Sequence, residues 1–315
     1  TDWACEYANA ASNEVYDLDC VNSIQRVASG SEDLVPEEST NTSIGIVLDP
    51  IEGLTITADY WEIEKDDTIG LFGEENHTIL ELVRLLEDGN SNCGQTFNSA
   101  VERIDPDDDQ INAYTEAGIC PSGDVNRISD RYANLDTRTV RGYDIGVYYD
   151  VDTSFGAFRF SYNGSFLDKF EQTASGDAQV LVDAQASGLL PASIPVEGFA
   201  DLVGRDGNQD ERHSARLTWR MNEFGAGLGA YRIGSFYQSS LTLDDGTLYV
   251  VPEFTTYDIT ADYRFDVGSV DARFRLGVKN FTDERAPLAD RFFGYFADAH
   301  TDYGRYFYAD LRLGF

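Results

Sequence analysis

Histidines, cysteines and clustered carboxylates are the side chains of this sequence best suited to chemistry. The histidines, His77, His213 and His300, are scattered. No Ser-His-Asp order, H-E-x-x-H, phosphate loop or C-x-x-C accompanies them. No residues are spaced for catalysis, so no enzyme is expected. The cysteines are Cys5, Cys20, Cys93 and Cys120, and four allow three pairings. Joining neighbours, Cys5 with Cys20 and Cys93 with Cys120, keeps each bridge inside one loop, and an oxidising compartment permits it. The alternative is a metal site, but C-x14-C and C-x26-C are not zinc spacings. The carboxylates gather in Asp105-Pro-Asp-Asp-Asp109. Asp105, Asp107, Asp108 and Asp109 offer oxygens of the kind Ca2+ favours, but without the EF-hand spacing or its glycine. A solvated loop tip is the competing reading, and Ca2+ is the one cofactor considered.

The basic residues Arg212, Arg216, Arg220, Arg273, Arg275 and Lys279 fall at even spacings, which asks for a strand. Between Arg212 and Asn222, Ala215, Leu217, Trp219 and Met221 point one way while the arginines, Ser214 and Thr218 point the other. The same period of two recurs in Thr42–Leu48, Leu54–Tyr60, Tyr143–Asp150, Phe158–Phe166, Tyr257–Asp266 and Ala272–Lys279. It closes the chain: Phe307, Ala309, Leu311, Leu313 and Phe315 are apolar, and Tyr306, Tyr308, Asp310 and Arg312 are not. Ala226–Leu243, rich in glycine and aromatics, reads as one more strand without assignable faces. About nine strands result.

Short turns and long connections alternate along the chain. The longest connection, about residues 65–134, carries a helical signal at Ile79, Leu82, Val83 and Leu86, closed by Asp88-Gly89. Residues 1–36 read as polar and irregular. The connection 171–210 has an apolar portion, Val180–Ile194, that folds over something. Aromatics in the loops, Trp3, Tyr114, Phe293, Tyr295 and Phe296, are candidate ligand contacts, since aromatic faces suit sugars or flat chelates.

Composition narrows the class. The 315 residues carry net charge −33 from 56 acidic and 23 basic side chains, which argues against nucleic acid as a partner. Tyr (18) and Phe (19) are abundant, as aromatic girdles at a membrane interface require. No run of 18 apolar residues exists for a membrane helix. Long two-faced strands, short turns alternating with long loops, and a face too charged for a dry core describe an all-β transmembrane antiparallel barrel of the outer membrane. The edge-bearing sandwich of a soluble secreted protein is the bland alternative.

A strand count that is odd leaves two edges in lipid, which a bilayer forbids. Residues 1–315 are therefore expected to be the C-terminal part of a longer barrel or to be completed by another polypeptide. The arginine face then either pairs with carboxylates nearby (Asp258, Asp262, Asp310) or holds a plug or an anionic solute.

Leu34-Val-Pro-Glu-Glu-Ser-Thr40, the strand Gly53–Ile69 after it, Gly277-Val-Lys-Asn-Phe-Thr-Asp-Glu284 and the closing Gly304–Phe315 together resemble TonB-dependent outer-membrane receptors. The resemblance implies a plugged, 22-stranded active transporter, of which this chain supplies nine C-terminal strands. It implies as partners outer-membrane lipid, the N-terminal strands and plug, the TonB complex, and a siderophore, oligosaccharide or other small-molecule substrate. The plug and its TonB-binding box have no counterpart in these residues. A passive porin or adhesin barrel is the alternative.

Overall fold

The structure, a computed structural model, describes residues 1–315 apart from 14, 22, 192, 193, 195, 197, 200, 244–246 and 315. Phe315, the last residue of the expected closing strand, thus lies outside the described residues. The chain divides into two compact units. One, the loop module, comprises Thr1–Thr40, Glu64–Arg138 and Glu171–Asp201. The other, the sheet unit, comprises Asn41–Ile63, Thr139–Phe170 and Leu202–Phe315.

Nine strands form the main sheet among the described residues: β1 Glu38–Ile51, β2 Leu54–Asp66, β3 Arg138–Thr153, β4 Gly156–Gln172, β5 Glu211–Met221, β6 Phe224–Ile233, β7 Phe254–Val267, β8 Val270–Lys279 and β9 Tyr306–Gly314. Their spatial order is their chain order, β9 at one edge and β1 at the other. Two residues join β1 to β2, β3 to β4, β5 to β6 and β7 to β8, and all the long connections fall between these pairs. Gly53, Asn222 and Gly268 take up positive φ in three of the short turns, as tight hairpins demand.

Register carries the period of two across the sheet. Phe160 lies opposite Leu217, Leu217 opposite Leu228, Leu228 opposite Ile259, Ile259 opposite Val278 and Val278 opposite Phe307. This apolar row is not buried: Leu217, Ile259 and Phe307 are 42%, 48% and 74% exposed. A row on the other face, three residues along, runs Arg220, Gly225, Asp262, Arg275 and Asp310. A slip of one residue would carry every charge to the greasy side. Ile46 and Leu48 of β1 and Leu311 and Leu313 of β9 are also exposed.

The expected single strand Ala226–Leu243 is corrected. β6 ends at Ile233, where Gly234 donates its N–H to the Glu211 carbonyl at 2.9 Å. The chain then leaves the sheet, and Phe236–Thr242 pairs with Leu248–Val251 as a separate hairpin. Phe236, Val251 and Phe296 form a small core there, ringed by Tyr249, Ala289 and Ala299.

The loop module has a different logic. Four helices, α1 Trp3–Ala11, α2 Glu74–Asp88, α3 Asp108–Glu116 and α4 Gly176–Ala186, belong to it. Ala4, Ala8, Ile79, Leu82, Val83 and Leu181 meet in its core. Beside them Gln25–Ser29 runs parallel to Val125–Arg131, which in turn pairs antiparallel with Val101–Arg103. The helix expected near residues 79–86 is α2, ended by Gly89 at φ 60°. The reading of residues 1–36 as irregular is corrected by α1, which Asp2 caps by accepting from Cys5 N–H at 3.3 Å. Val180 and Leu181, from the apolar portion of the second long connection, join the module core. Cys5 is bridged to Cys20 and Cys93 to Cys120, 15 and 27 residues apart, with Cα separations of 5.4 and 5.1 Å.

Candidate functional site

The polar face of the sheet is organised around Asp262. Arg220 Nη2 donates to its Oδ2 at 2.7 Å, and Arg275 Nη2 stands 3.7 Å from its Oδ1. β5 and β7 are not neighbours; β6 runs between them. The pair can close because Gly225 lies between: a Cβ there would meet Arg220 Nη2 at 2.6 Å and Asp262 Oδ2 at 2.9 Å. Gly227, the next residue on this face, leaves room for Thr260 in the same way. The glycines that obscured the faces of β6 in the sequence are the device that clears this path, and their alternation (225, 227, 229) was the signal available.

The other basic residues spread along the same face. Arg273 approaches Asp310 at 3.9 Å, Arg212 donates to Gln209 Oε1 at 2.6 Å, and the Lys279 ammonium lies 5.8 Å from the centre of the Tyr306 ring. Arg216 joins Arg220, Asp262 and Arg275 around a cavity of about 400 Å³. Arg220 Nη1, Arg273 Nε and Arg275 Nε are buried without a hydrogen-bond partner among the described residues. This face can take up acceptors: one carboxylate, Asp262, serves two guanidiniums, and donors remain over.

In the loop module a second charged arrangement is wholly internal. Arg103 grips Asp2 through both Nη atoms, at 2.6 and 2.8 Å, and reaches Glu81 Oε2 from Nε and Nη2 at 3.0 and 2.7 Å. Burial opposes the arginine's charge, but hydrogen bonds and charge from Asp2 and Glu81 outweigh it and raise its pKa. Burial pushes the Glu81 carboxyl up, against the pull of Arg103. A second buried acid, Asp130, accepts from Arg26 at 2.8 Å and from Gly73 N–H at 3.2 Å, and lies 3.2 Å from His77 Nε2. Burial lowers the pKa of His77, with the Asp130 charge working the other way.

The aromatic candidates separate by burial. Tyr114 is 1% and Phe296 5% exposed, so both rings are core. Burial pushes the Tyr114 phenol up. Trp3 packs against the module core and donates from Nε1 to Glu75 at 2.8 Å. Phe293 is 67% exposed and Tyr295 partly so, on the connection between β8 and β9. Beside them Phe292, which the sequence reading passed over, is 96% exposed. His300 is fully buried, stacked on Phe236 at 5.7 Å and edge-on to Phe254 at 5.4 Å; no spacing in the sequence announced it.

The acidic run has a local role. Asp107 accepts from Gln110 N–H at 2.8 Å while Gln110 Oε1 accepts from Asp107 N–H at 3.0 Å, a reciprocal cap on α3. Asp108 and Asp109 fill the first turn, where the helix dipole favours negative charge. Asp105 is exposed before it. No group of three or more metal-ligating side chains converges among the described residues.

Comparison with known proteins completes the picture. The siderophore receptor PirA of Acinetobacter baumannii superposes with a TM-score of 0.50 at 14% identity, over 90% of this chain and 32% of its own. A variant of the ferric enterobactin receptor PfeA of Pseudomonas aeruginosa, solved with enterobactin, gives 0.52 at 14%, over 91% and 32%. At that identity the likeness is one of fold, and the chain spans about one third of the length of either receptor. No curated protein of similar sequence is found. The model of the TonB-dependent receptor-like β-barrel matches residues 7–281. Its span, most of the chain, and the two-faced sheet agree: the chain belongs to the TonB-dependent receptor β-barrel family.

Proposed function

We propose that this chain is the C-terminal part of an outer-membrane import receptor. Its N-terminal strands and a plug complete the barrel, and TonB-derived energy drives uptake of a scarce solute, a ferric siderophore first among the candidates. The family is one of transport receptors rather than enzymes. The observation that carries the reading is the inverted sheet: an exposed apolar row at every second residue, backed by the Arg220–Asp262–Arg275 row. Hydrocarbon suits the first face and a hydrated, plugged interior the second. The siderophore class rests on the two structural relatives, whose own names are those of siderophore receptors. The long connections, on this reading, face the outside of the cell, and exposed Phe293 and Tyr295 stand among the groups that meet the solute.

The test is uptake by cells that lack other iron receptors and carry the full-length receptor. Growth on a panel of ferric siderophores under iron limitation is expected to require both the receptor and TonB. Uptake that continues without TonB would point to a passive porin and overturn the energised reading. Failure with every siderophore, but TonB-dependent growth on an oligosaccharide, would change the substrate and keep the mechanism.

A further inference from the structure

Two connections of the sheet unit are fastened to each other beside one buried histidine. The hairpin of Phe236–Thr242 and Leu248–Val251 lies between β6 and β7, and residues 286–302 lie between β8 and β9. Gln238, fully buried, pairs with the Asp290 backbone in both directions: its Nε2 donates to the carbonyl at 2.8 Å and its Oε1 accepts from the N–H at 3.0 Å. The Tyr249 hydroxyl donates to the Leu288 carbonyl at 3.1 Å, and Phe236 meets Phe296 edge to face at 4.8 Å. His300 completes the contact. Its ring is 1% exposed and packs on Phe236 and Phe254, and both of its nitrogens are buried without a hydrogen-bond partner among the described residues.

A neutral imidazole can be held there. An imidazolium would bring a charge and two N–H donors to a place with no acceptor. The charged groups on the packed elements do not relieve it. Before β5, Arg205 pairs with Asp206, Asp206 also accepts from Ser239, and Asp210 is exposed. On β5, Glu211 is engaged by Arg232 and His213, while Arg212 repels a proton on His300. The hairpin offers only the phenols of Tyr237 and Tyr249 among its described residues. Glu253, beside Phe254, pairs with Arg232, and Asp258 farther along β7 accepts from Asn280 N–H. On the β8–β9 connection Arg291 stands over the Phe296 ring at 4.5 Å, Asp290 and Asp298 are exposed, and Asp302 is held by Arg285 and Ala286 N–H. The faces of Phe236 and Phe254 attract an imidazolium less than the water it would give up. Burial, and after it Arg212, hold the ring below its ordinary pKa of 6.5.

We propose that His300 is the acid-sensitive catch of a clasp between these two connections: a proton on its ring opens the contact and frees residues 286–300 from the hairpin. The neutral ring stabilises the closed form fully above pH 6.5, and that contribution is lost as the pH falls through the lowered value. Arg285 and Asp302 pair at 2.7 Å across the neck of the freed stretch, which confines the opening to the residues between them. Phe292, Phe293 and Tyr295 lie on that stretch. The clasp thus fixes these rings at neutral pH and releases them in acid.

The experiment is hydrogen exchange read by mass spectrometry on the full-length receptor in detergent micelles, with each rate taken relative to that of the unstructured peptide at the same pH. Between pH 7.5 and pH 5.5, protection of peptides covering 236–242, 248–251 and 286–300 is expected to fall about fivefold or more, while β5 and β6 keep theirs. A released ring of ordinary pKa is protonated about ten to one at pH 5.5, which sets the ceiling near tenfold. His300→Phe, an aromatic ring that takes no proton, is expected to keep the protection at pH 7.5 and to lose the acid response. A variant carrying both His77→Gln and His213→Gln is expected to keep that response. Parent peptides that hold their protection in acid, equal loosening of β5 and β6, a response that survives in His300→Phe, or one that vanishes in the double variant would each overturn the proposal. Should His300→Phe fail to assemble, the parent and the double variant still decide it. No solute enters the measurement, so its outcome is separate from that of the uptake assay.

Discussion

The two units bury opposite things. In the loop module the apolar side chains are inside: Ile79, Leu80, Leu82, Val83 and Leu85 have no exposed surface. In the sheet unit the long apolar side chains of the strands stand out, with Leu276 at 53% and Leu311 at 58% exposed. Charge follows the same inversion in part. The module carries −24, and the sheet unit, with 25 acidic and 16 basic residues, −9. One chain thus obeys water's rule in one unit and a membrane's in the other. The difference shows that solvent, not composition, decides which side of an amphipathic element is stable.

The two units are expected to part most clearly at Arg103. Arg103→Met leaves Asp2 and Glu81 buried without their counter-charge, at a cost of about 3–5 kcal/mol. Hydrogen exchange read by mass spectrometry is expected to rise across α1 and α2 and to stay unchanged in β5–β9. Equal loosening of the sheet would mean that the two units do not have separate stabilities.

A smaller effect is expected on the polar face. Gly225→Val drives a side chain between Arg220 and Asp262 and costs about 1–3 kcal/mol by overpacking. Gly229→Ala is the control, since a Cβ there meets nothing closer than 3.5 Å. The urea midpoint of the heat-modifiable band on electrophoresis is expected to fall for the first variant only. A normal midpoint in Gly225→Val would show that the Arg220–Asp262 pair contributes nothing to the sheet.

The smallest effect is a pH dependence confined to the module. Because the folded state holds His77 below its ordinary pKa of 6.5, it favours the neutral ring. That contribution is complete above pH 6.5 and is lost as the pH falls through the lowered value. The module's melting temperature is expected to drop by a few degrees on acidification from pH 7, and His77→Gln to flatten the curve. Asp302 gives the opposite limit. Hydrogen bonds from Arg285 hold its carboxyl down at about 2, so its pairing on the β8–β9 connection persists through this range.

Much of the sheet was readable because a period of two survives any packing: alternation in β5, β7, β8 and β9 is a statement about two faces, whatever each face meets. The neighbouring-cysteine pairing was readable for a related reason, since short sequence separation keeps it local. The helices α1, α3 and α4 were not. They have nine, nine and eleven residues, lengths at which a helix depends on tertiary packing rather than on its own propensity. The acidic run 105–109 left a calcium set and a solvated loop tip as competing readings because capping chemistry and calcium chemistry use the same side chain. Tyr114 and Phe296 looked like contact residues because a core aromatic and a binding aromatic are the same residue type.

By itself, then, the sequence determined a long two-faced ribbon with short turns on one side, because side-chain alternation is a property of the extended backbone alone. Only the tertiary structure decided which guanidinium meets which carboxylate across a glycine. It also decided that the N-terminal segment and two long connections share one core. Those facts depend on residues brought together from far apart in the chain, and local spacing holds no record of them.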